Sequence, residues 1–473
     1  MSVTVDQHQT DGHSKTKIVF ISVLFVLSLT MFVLQTEFTS QAYTRGFKEP
    51  IILLIVTHGS WWTLWPLQVL SVAVYRVISR ARRAIDPSKP GYQPLSSTTE
   101  LLPTVVAPAP INPNSASPPP PTINYWLYFK KAIVKQFHNI YHTSIIIYEY
   151  HVNDDDRIHG INQLIDQHPH ISSTPSITAC VVSFVQTPSI QYILWKTFVL
   201  VLLLTVAGFT WYGSMALTYA ADVTAIYNCS AFTAYIFAIP LLNERFSWLK
   251  ANSVLIAIVG VFIVSYSDSS DGADTPYPYR FWGNLAISIG AVLYGLYEVF
   301  YKKFLCIPPH LSKLITPKRQ MVFANFVMSL LGLYTAVILL VGCILVDILG
   351  IHKFNLVNYD GAGVIWGYIA GSIVSNLSFS ASFLSLISLT NPVLSSVSSL
   401  LTIFLIGVVE WWLFDNVLST SQLVGDVLVI IGFVLLTVAS WNEISEGEDS
   451  DEMEVVSNYS FAISTSDDSQ PLR

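Results

Sequence analysis

The chain has 473 residues, 52% hydrophobic and only 12% charged, with a mean hydropathy of +0.52. That excludes an ordinary soluble protein, whose surface needs charge on about a quarter of all residues. The formal net charge of −7 excludes nothing, because acids and bases are segregated along the chain.

The first apolar run, Ile18 to Leu34, follows Lys15 and Lys17 and ends in "QTEFTS". That ending lacks small residues spaced for cleavage, so a spanning helix is expected rather than a removable signal. Apolar runs of about 20 residues then recur, the length that crosses about 30 Å of hydrocarbon as a helix. They are continuous rather than alternating, which argues against a β-barrel. The expectation is an all-α polytopic membrane protein of ten transmembrane helices, near 17–36, 50–75, 192–216, 221–243, 250–267, 281–300, 321–345, 361–385, 387–413 and 421–441. With both termini cytoplasmic, most Lys and Arg fall inside, and only Arg45, Lys48, Arg280 and Lys353 fall outside, as the positive-inside rule requires. Residues 1–85 carry two helices, 86–190 form a cytoplasmic insert, 191–443 carry the other eight helices, and 444–473 are an acidic tail.

The second helix contains "THGSWWTLWP". Its His58 and Trp62 read either as an interface belt with one hydrogen-bonded imidazole or as an aromatic substrate clamp. The insert opens with "PTVVAPAPINPNSASPPPPT", which is unfit for a helix interior. In the following "YWLYFKKAIVKQFHNIY", Trp126, Phe129, Ile133, Phe137 and Ile140 recur at helical spacing with lysines mostly off that line. This fits a basic amphipathic helix on the membrane surface, or equally a helix packed on the bundle. His151, Asp154, Asp155, Asp156, His159, His168 and His170 match no tight metal motif, so neither a metal nor a cofactor is expected. The four cysteines are expected to be free thiols.

The fourth helix is the unusual one: "DVTAIYNCSAFTAYIFAIPLLNE" begins and ends with a carboxylate. Asp222 reads as an N-cap, and Glu244 as half of an interfacial pair with Arg245. Tyr227, Asn228 and Tyr235 need hydrogen-bond partners within the hydrocarbon, from neighbouring helices or from a substrate. Glu298, one turn before Lys302, suggests an i,i+4 pair. In the second half, Gly367 and Gly371 stand at GxxxG spacing before Asn376, and "TNPVLSSVSSL" places Asn391 and Ser395 on the ninth helix.

Two halves echo each other. "VLIAIVGVFIV" around Gly260 matches "VLVIIGFVLL" around Gly432, which suggests two five-helix units of opposite orientation. The segments "WYGSMALTYAADVTAIYNCSAFTAYIFAIPLLNERFSW", "ANSVLIAIVGVFIVSYSD" and "WGNLAISIGAVLYGLYEVFYKK" resemble the drug/metabolite transporter superfamily, EamA type. Within it they are similar to the fungal solute carrier family 35 F-like branch. The resemblance covers roughly residues 190–443 and, more faintly, the first two helices. It implies ten helices, cytoplasmic termini and a substrate cavity between the halves, and it names no substrate; an endomembrane location, vacuolar or Golgi, is a separate expectation.

No HExxH, GxSxG or P-loop occurs, so no enzyme is expected and there is no catalytic residue to assign. No Lys or Arg lies deep in a predicted span, which tilts the substrate toward a neutral or cationic small molecule, with proton coupling left open. A nucleotide-sugar transporter and a non-transporting scaffold or receptor are the alternatives. The candidate cavity comprises His58, Trp62, Asp222, Tyr227, Asn228, Tyr235, Glu298, Asn376, Asn391 and Ser395. Nucleic acid is not an expected partner, and nothing in the sequence sets an oligomeric state.

Overall fold

In this computed structural model the described residues are 6–85, 124–152, 171–266, 278–389 and 420–445, apart from scattered single positions, together with Thr402, Leu405 and Trp412. Every regular element among them is helical. Helix α1 (Asp6–Thr44) is followed by α2 (Pro50–His58), a 3₁₀ turn (Gly59–Thr63) and α3 (Leu64–Ile85). Pro50 sits at the start of α2, where its fixed φ suits a first turn and its missing N–H costs nothing. Then come α4 (Tyr125–Val152), α5 (Ile177–Gln186), α6 (Pro188–Met215), α7 (Ala220–Asn228) and α8 (Ser230–Leu242). The series ends with α9 (Trp248–Tyr266), α10 (Arg280–Leu305), α11 (Pro317–Ile348), α12 (Ala362–Leu389) and α13 (Thr420–Ser445).

Six segments are long and apolar enough to cross a membrane: Ser22–Thr44, Pro188–Met215, Asp222–Leu242, Arg280–Leu305, Arg319–Ile348 and Ala362–Phe383. Trp248–Ile263 and Leu423–Leu436 are shorter apolar helices. The second expected span is interrupted by the 3₁₀ turn and runs ten residues beyond its predicted end at 75. The fourth is broken at Cys229. The ninth, 387–413, falls almost wholly outside the described residues, and with it Asn391 and Ser395.

Of the two readings for the amphipathic segment, the structure takes the second. Helix α4 is 28 residues long and buries Ala132, Ile133, Val134, Gln136, Ile140, Tyr141 and Ile145 to Ile147 against α3, α5, α6 and α11. These positions cover far more than the narrow stripe that a surface-bound helix presents. Its first turn, with Tyr125, Trp126 and Leu127, and its last residue, Val152, stay exposed. All four cysteines are free, as expected. Burial pushes the Cys180 thiol in α5 up to about 11.

The main pairings join helices far apart in sequence. Helix α1 lies along α12, α6 along α10, and α9 along α13, while α11 covers α2, the 3₁₀ turn and α3. The α9–α13 seam is reciprocal. A Cβ on Gly260 would stand 2.6 Å from the Gly425 carbonyl oxygen and 2.9 Å from Val429 N. A Cβ on Gly432 would stand 2.6 Å from the Ser253 carbonyl oxygen and 2.8 Å from Ala257 N. One constant shift in residue number carries Ser253, Ala257 and Gly260 onto Gly425, Val429 and Gly432. Only glycine lets two backbones approach this closely.

Candidate functional site

Helices α7 and α8 lie against α10, and polar contacts tie the pair at both ends. Asp222, in the first turn of α7, accepts from Arg280 Nε at 2.7 Å and Nη2 at 3.1 Å. Thr218 Oγ1 donates to the same carboxylate at 3.0 Å, and Asn284 Nδ2 at 3.3 Å. At the far end Glu244 pairs with Lys302 at 2.7 Å. Each ion pair joins residues 58 apart in sequence, and midway Thr233 Oγ1 donates to the Ala291 carbonyl across the same interval. A constant interval means that the helices run parallel and in register. From Asp222 to Glu244 is about 33 Å of helix at about 1.5 Å per residue, close to the thickness of a hydrocarbon core. The carboxylates at the two ends of the unusual helix are thus spaced to meet their partners near the two membrane faces.

This corrects two local expectations. Asp222 lies inside the helix and binds a guanidinium, so it is no N-cap. Lys302 takes Glu244 rather than serving as the i,i+4 partner of Glu298; Arg245, the expected partner of Glu244, lies outside the described residues. Among the described residues Glu298 has no hydrogen bond or ion pair, and it sits within electrostatic reach of Tyr227, Tyr294 and Tyr297.

Between the two ends the helix is jointed. Cys229 interrupts it, and the Cys229 N–H turns back to the Ile226 carbonyl at 3.0 Å, a three-residue closure tighter than an α-turn. On either side lie Asn228 and Ser230, both buried. The Asn228 Nδ2 group is shut off from solvent with no partner among the described residues. Gly295 permits this close approach: a Cβ there would be 2.7 Å from Ser230 O and from Ala234 N. The Tyr227 ring packs on Tyr294 with centroids 4.8 Å apart, and Tyr294 on Tyr297 at 5.6 Å.

A second aromatic group lies on α2, the 3₁₀ turn and α6. The His58 ring lies 4.2 Å from Trp61 and 5.7 Å from Tyr212. Trp61 Nε1 donates to Asn376 Oδ1 on α12, and Tyr212 OH accepts from Gln35 Nε2 on α1 at 3.4 Å. Gln35 Oε1 is buried without a partner among the described residues. Trp61 and Tyr297 share one apolar cluster, while Tyr212 and Tyr227 share the neighbouring one. Trp61 thus joins His58 to Asn376, while Tyr227, Asn228 and Glu298 gather where the α7–α8 joint meets α10.

Two predicted members stand elsewhere. Trp62 is 50% exposed on the outside of the bundle, and Trp61 takes the inward position. Tyr235 is a brace: its hydroxyl donates to the Ser247 carbonyl at 3.2 Å and accepts from Ser247 N–H at 3.0 Å, which closes the α8–α9 turn. Sequence reasoning missed Gln35, Trp61, Tyr212, Tyr294 and Tyr297. For the last two a signal existed: Tyr294, Tyr297, Glu298 and Tyr301 in "LYGLYEVFY" recur at three- and four-residue spacing, which aligns them on one helix face.

Comparison with known proteins adds to this geometry. No family model matches the chain. Three proteins named as transporters are similar to it. An uncharacterized transporter of Schizosaccharomyces pombe is 26% identical over 235 residues, covering 49% of this chain and 64% of that protein. Solute carrier family 35 member F3 of mouse and of human are each 23% identical, over 220 and 217 residues, covering 46% of this chain and 47% and 46% of theirs. The chain thus spans less than two thirds of the length of each relative. None of the three is named as an enzyme, in agreement with the non-enzyme reading. The similarities and the apolar helices together support a multi-pass membrane protein, similar over about half its length to solute carrier family 35 member F3.

Proposed function

We propose that the chain is a secondary active transporter of a small organic metabolite in an endomembrane, built as two inverted five-helix units with the substrate path between them. The single observation that carries this reading is Asn228. Among the described residues its buried amide N–H₂ has no partner; it lies beside the joint in α7–α8, next to Tyr227, which is within electrostatic reach of Glu298. An orphaned buried donor costs about 1–3 kcal/mol, which a bound substrate recovers.

The helix pairings support the inverted repeat. In the ten-span order, exchanging each span for the one five places on swaps the first–eighth pair (α1–α12) with the sixth–third pair (α10–α6) and maps the fifth–tenth pair (α9–α13) onto itself, as the reciprocal Gly260 and Gly432 contacts do. A carboxylate, an amide donor and tyrosine faces favour a neutral or cationic substrate over an anion. The named relatives support the transporter class, and the EamA-type resemblance supports alternating access.

The test is uptake of a pooled metabolite mixture into proteoliposomes, with and without a pH gradient, read by mass spectrometry. Accumulation by the native protein that is lost in Asn228→Ala and Glu298→Gln is expected. Strong competition by an anionic nucleotide sugar would overturn the charge preference. Uptake that survives both substitutions would remove these residues from the path.

A further inference from the structure

The end of α6 opposite the second aromatic group holds a group of polar side chains that the transport reading does not use. His151 in the last turn of α4, Tyr192 and Lys196 in the first turns of α6, and Lys303 near the end of α10 converge there. The His151 and Tyr192 rings are nearly parallel, at 21° with centroids 6.1 Å apart, and Phe304 lies 6.1 Å from His151. Lys196 Nζ is 5.5 Å from the Tyr192 ring and 4.4 Å from Phe304, while Lys303 Nζ is 5.8 Å from Phe304.

Two facts mark this group as incomplete. The Tyr192 hydroxyl and His151 Nε2 are both shut off from solvent without a partner among the described residues. Neither lysine ammonium has an ion pair or hydrogen bond among the described residues; Phe304 offers them a ring face but no charge. The nearest acids are committed or directed away. Glu244 holds Lys302. Glu149 has an interaction of its own and, two positions before His151, points to another side of α4. Asp154 to Asp156 lie outside the described residues. Burial, together with the charges of Lys196 and Lys303, holds the His151 imidazolium below its ordinary range, and a hydrogen bond to the Lys303 backbone acts the other way. Among the described residues the field at this spot is that of two cations with no ion-paired anion.

We propose that Tyr192, Lys196 and Lys303, with His151 beside them, form a binding site for a phosphate group. Two ammonium groups and a phenol supply the charge and the donors that a phosphate oxygen takes, and the part-exposed lysines leave it a way in. The source of that phosphate is either the headgroup of an anionic phospholipid or a soluble phosphate compound. The site is independent of the Asn228 region, so its failure would leave the transport reading untouched.

The experiment uses the purified full-length chain in neutral detergent, with two probes. Native mass spectrometry counts phosphatidylinositol retained after delipidation and re-addition, and calorimetric titration measures inorganic phosphate and ADP. The native protein is expected to hold one ligand that Lys196→Gln/Lys303→Gln weakens about a hundredfold and Tyr192→Phe about tenfold. Binding in the lipid arm alone assigns the headgroup, and binding in the soluble arm assigns a free phosphate. Equal binding by native protein and variants, or none in either arm, overturns the proposal. Tyr192→Phe keeps the ring under Lys196 and removes only the hydroxyl, so it decides the matter even if the double variant does not fold.

Discussion

The two ends of the α7–α8 helix use the same chemistry in different surroundings. At one end the Asp222 side chain is 4% exposed and Arg280 17%, and two more donors complete the carboxylate's shell. At the other, Lys302 and Glu244 are 38% and 34% exposed and share one bond. A desolvated, fully hydrogen-bonded pair becomes a liability as soon as one partner is lost, whereas a solvated pair is nearly dispensable. The first pair therefore fixes where the helix sits, and the second only trims its far end.

That contrast is open to attack. Asp222→Ala should cost about 3–5 kcal/mol by stranding Arg280, read as a fall in thermal unfolding temperature in detergent. Asp222→Asn with Arg280→Gln should recover much of it; equal damage in the single and double variants would mean that the pair does not act as a unit. Between the ends, Gly295→Ala should cost about 1–3 kcal/mol, because the added methyl meets backbone atoms of α8 as well as the Thr233 hydroxyl. A neutral result there would show that the parallel helices can part at their middle. Thr218→Val and Asn284→Ala should each cost about 1 kcal/mol, and a larger loss would shift weight from the arginine to its neighbours. Glu244→Gln should cost under about 1 kcal/mol, and added salt should abolish even that difference; a loss as large as that of Asp222→Ala would erase the distinction between the ends.

How far the sequence foretold this depends on the kind of signal. Span lengths and the carboxylate-bounded fourth helix were legible, because hydrophobic run length is a local property. The partners of Asp222 and Glu244 were not. Local rules offered an N-cap, an adjacent Arg245 and an i,i+4 lysine, while two parallel helices bring together residues 58 apart. Trp61 and Trp62 show a subtler failure. A 3₁₀ turn advances each residue by about 120° rather than 100°, so α-helical phase assigns the inward tryptophan wrongly. The periodicity of α4 was real, but a stripe of five residues said nothing of the Ile145–Ile147 run, which is buried because the bundle surrounds it. The orphaned Asn228 amide is invisible to any sequence rule, since it is defined by what fails to approach it.

The break at Cys229 has a mechanical consequence. A rod held firmly at its Asp222 tip, lightly at its Glu244 tip and notched between bends most readily at the notch. Anything that fills the space beside Asn228 therefore pushes on the span at its weakest point, and the lightly held tip yields before the firm one.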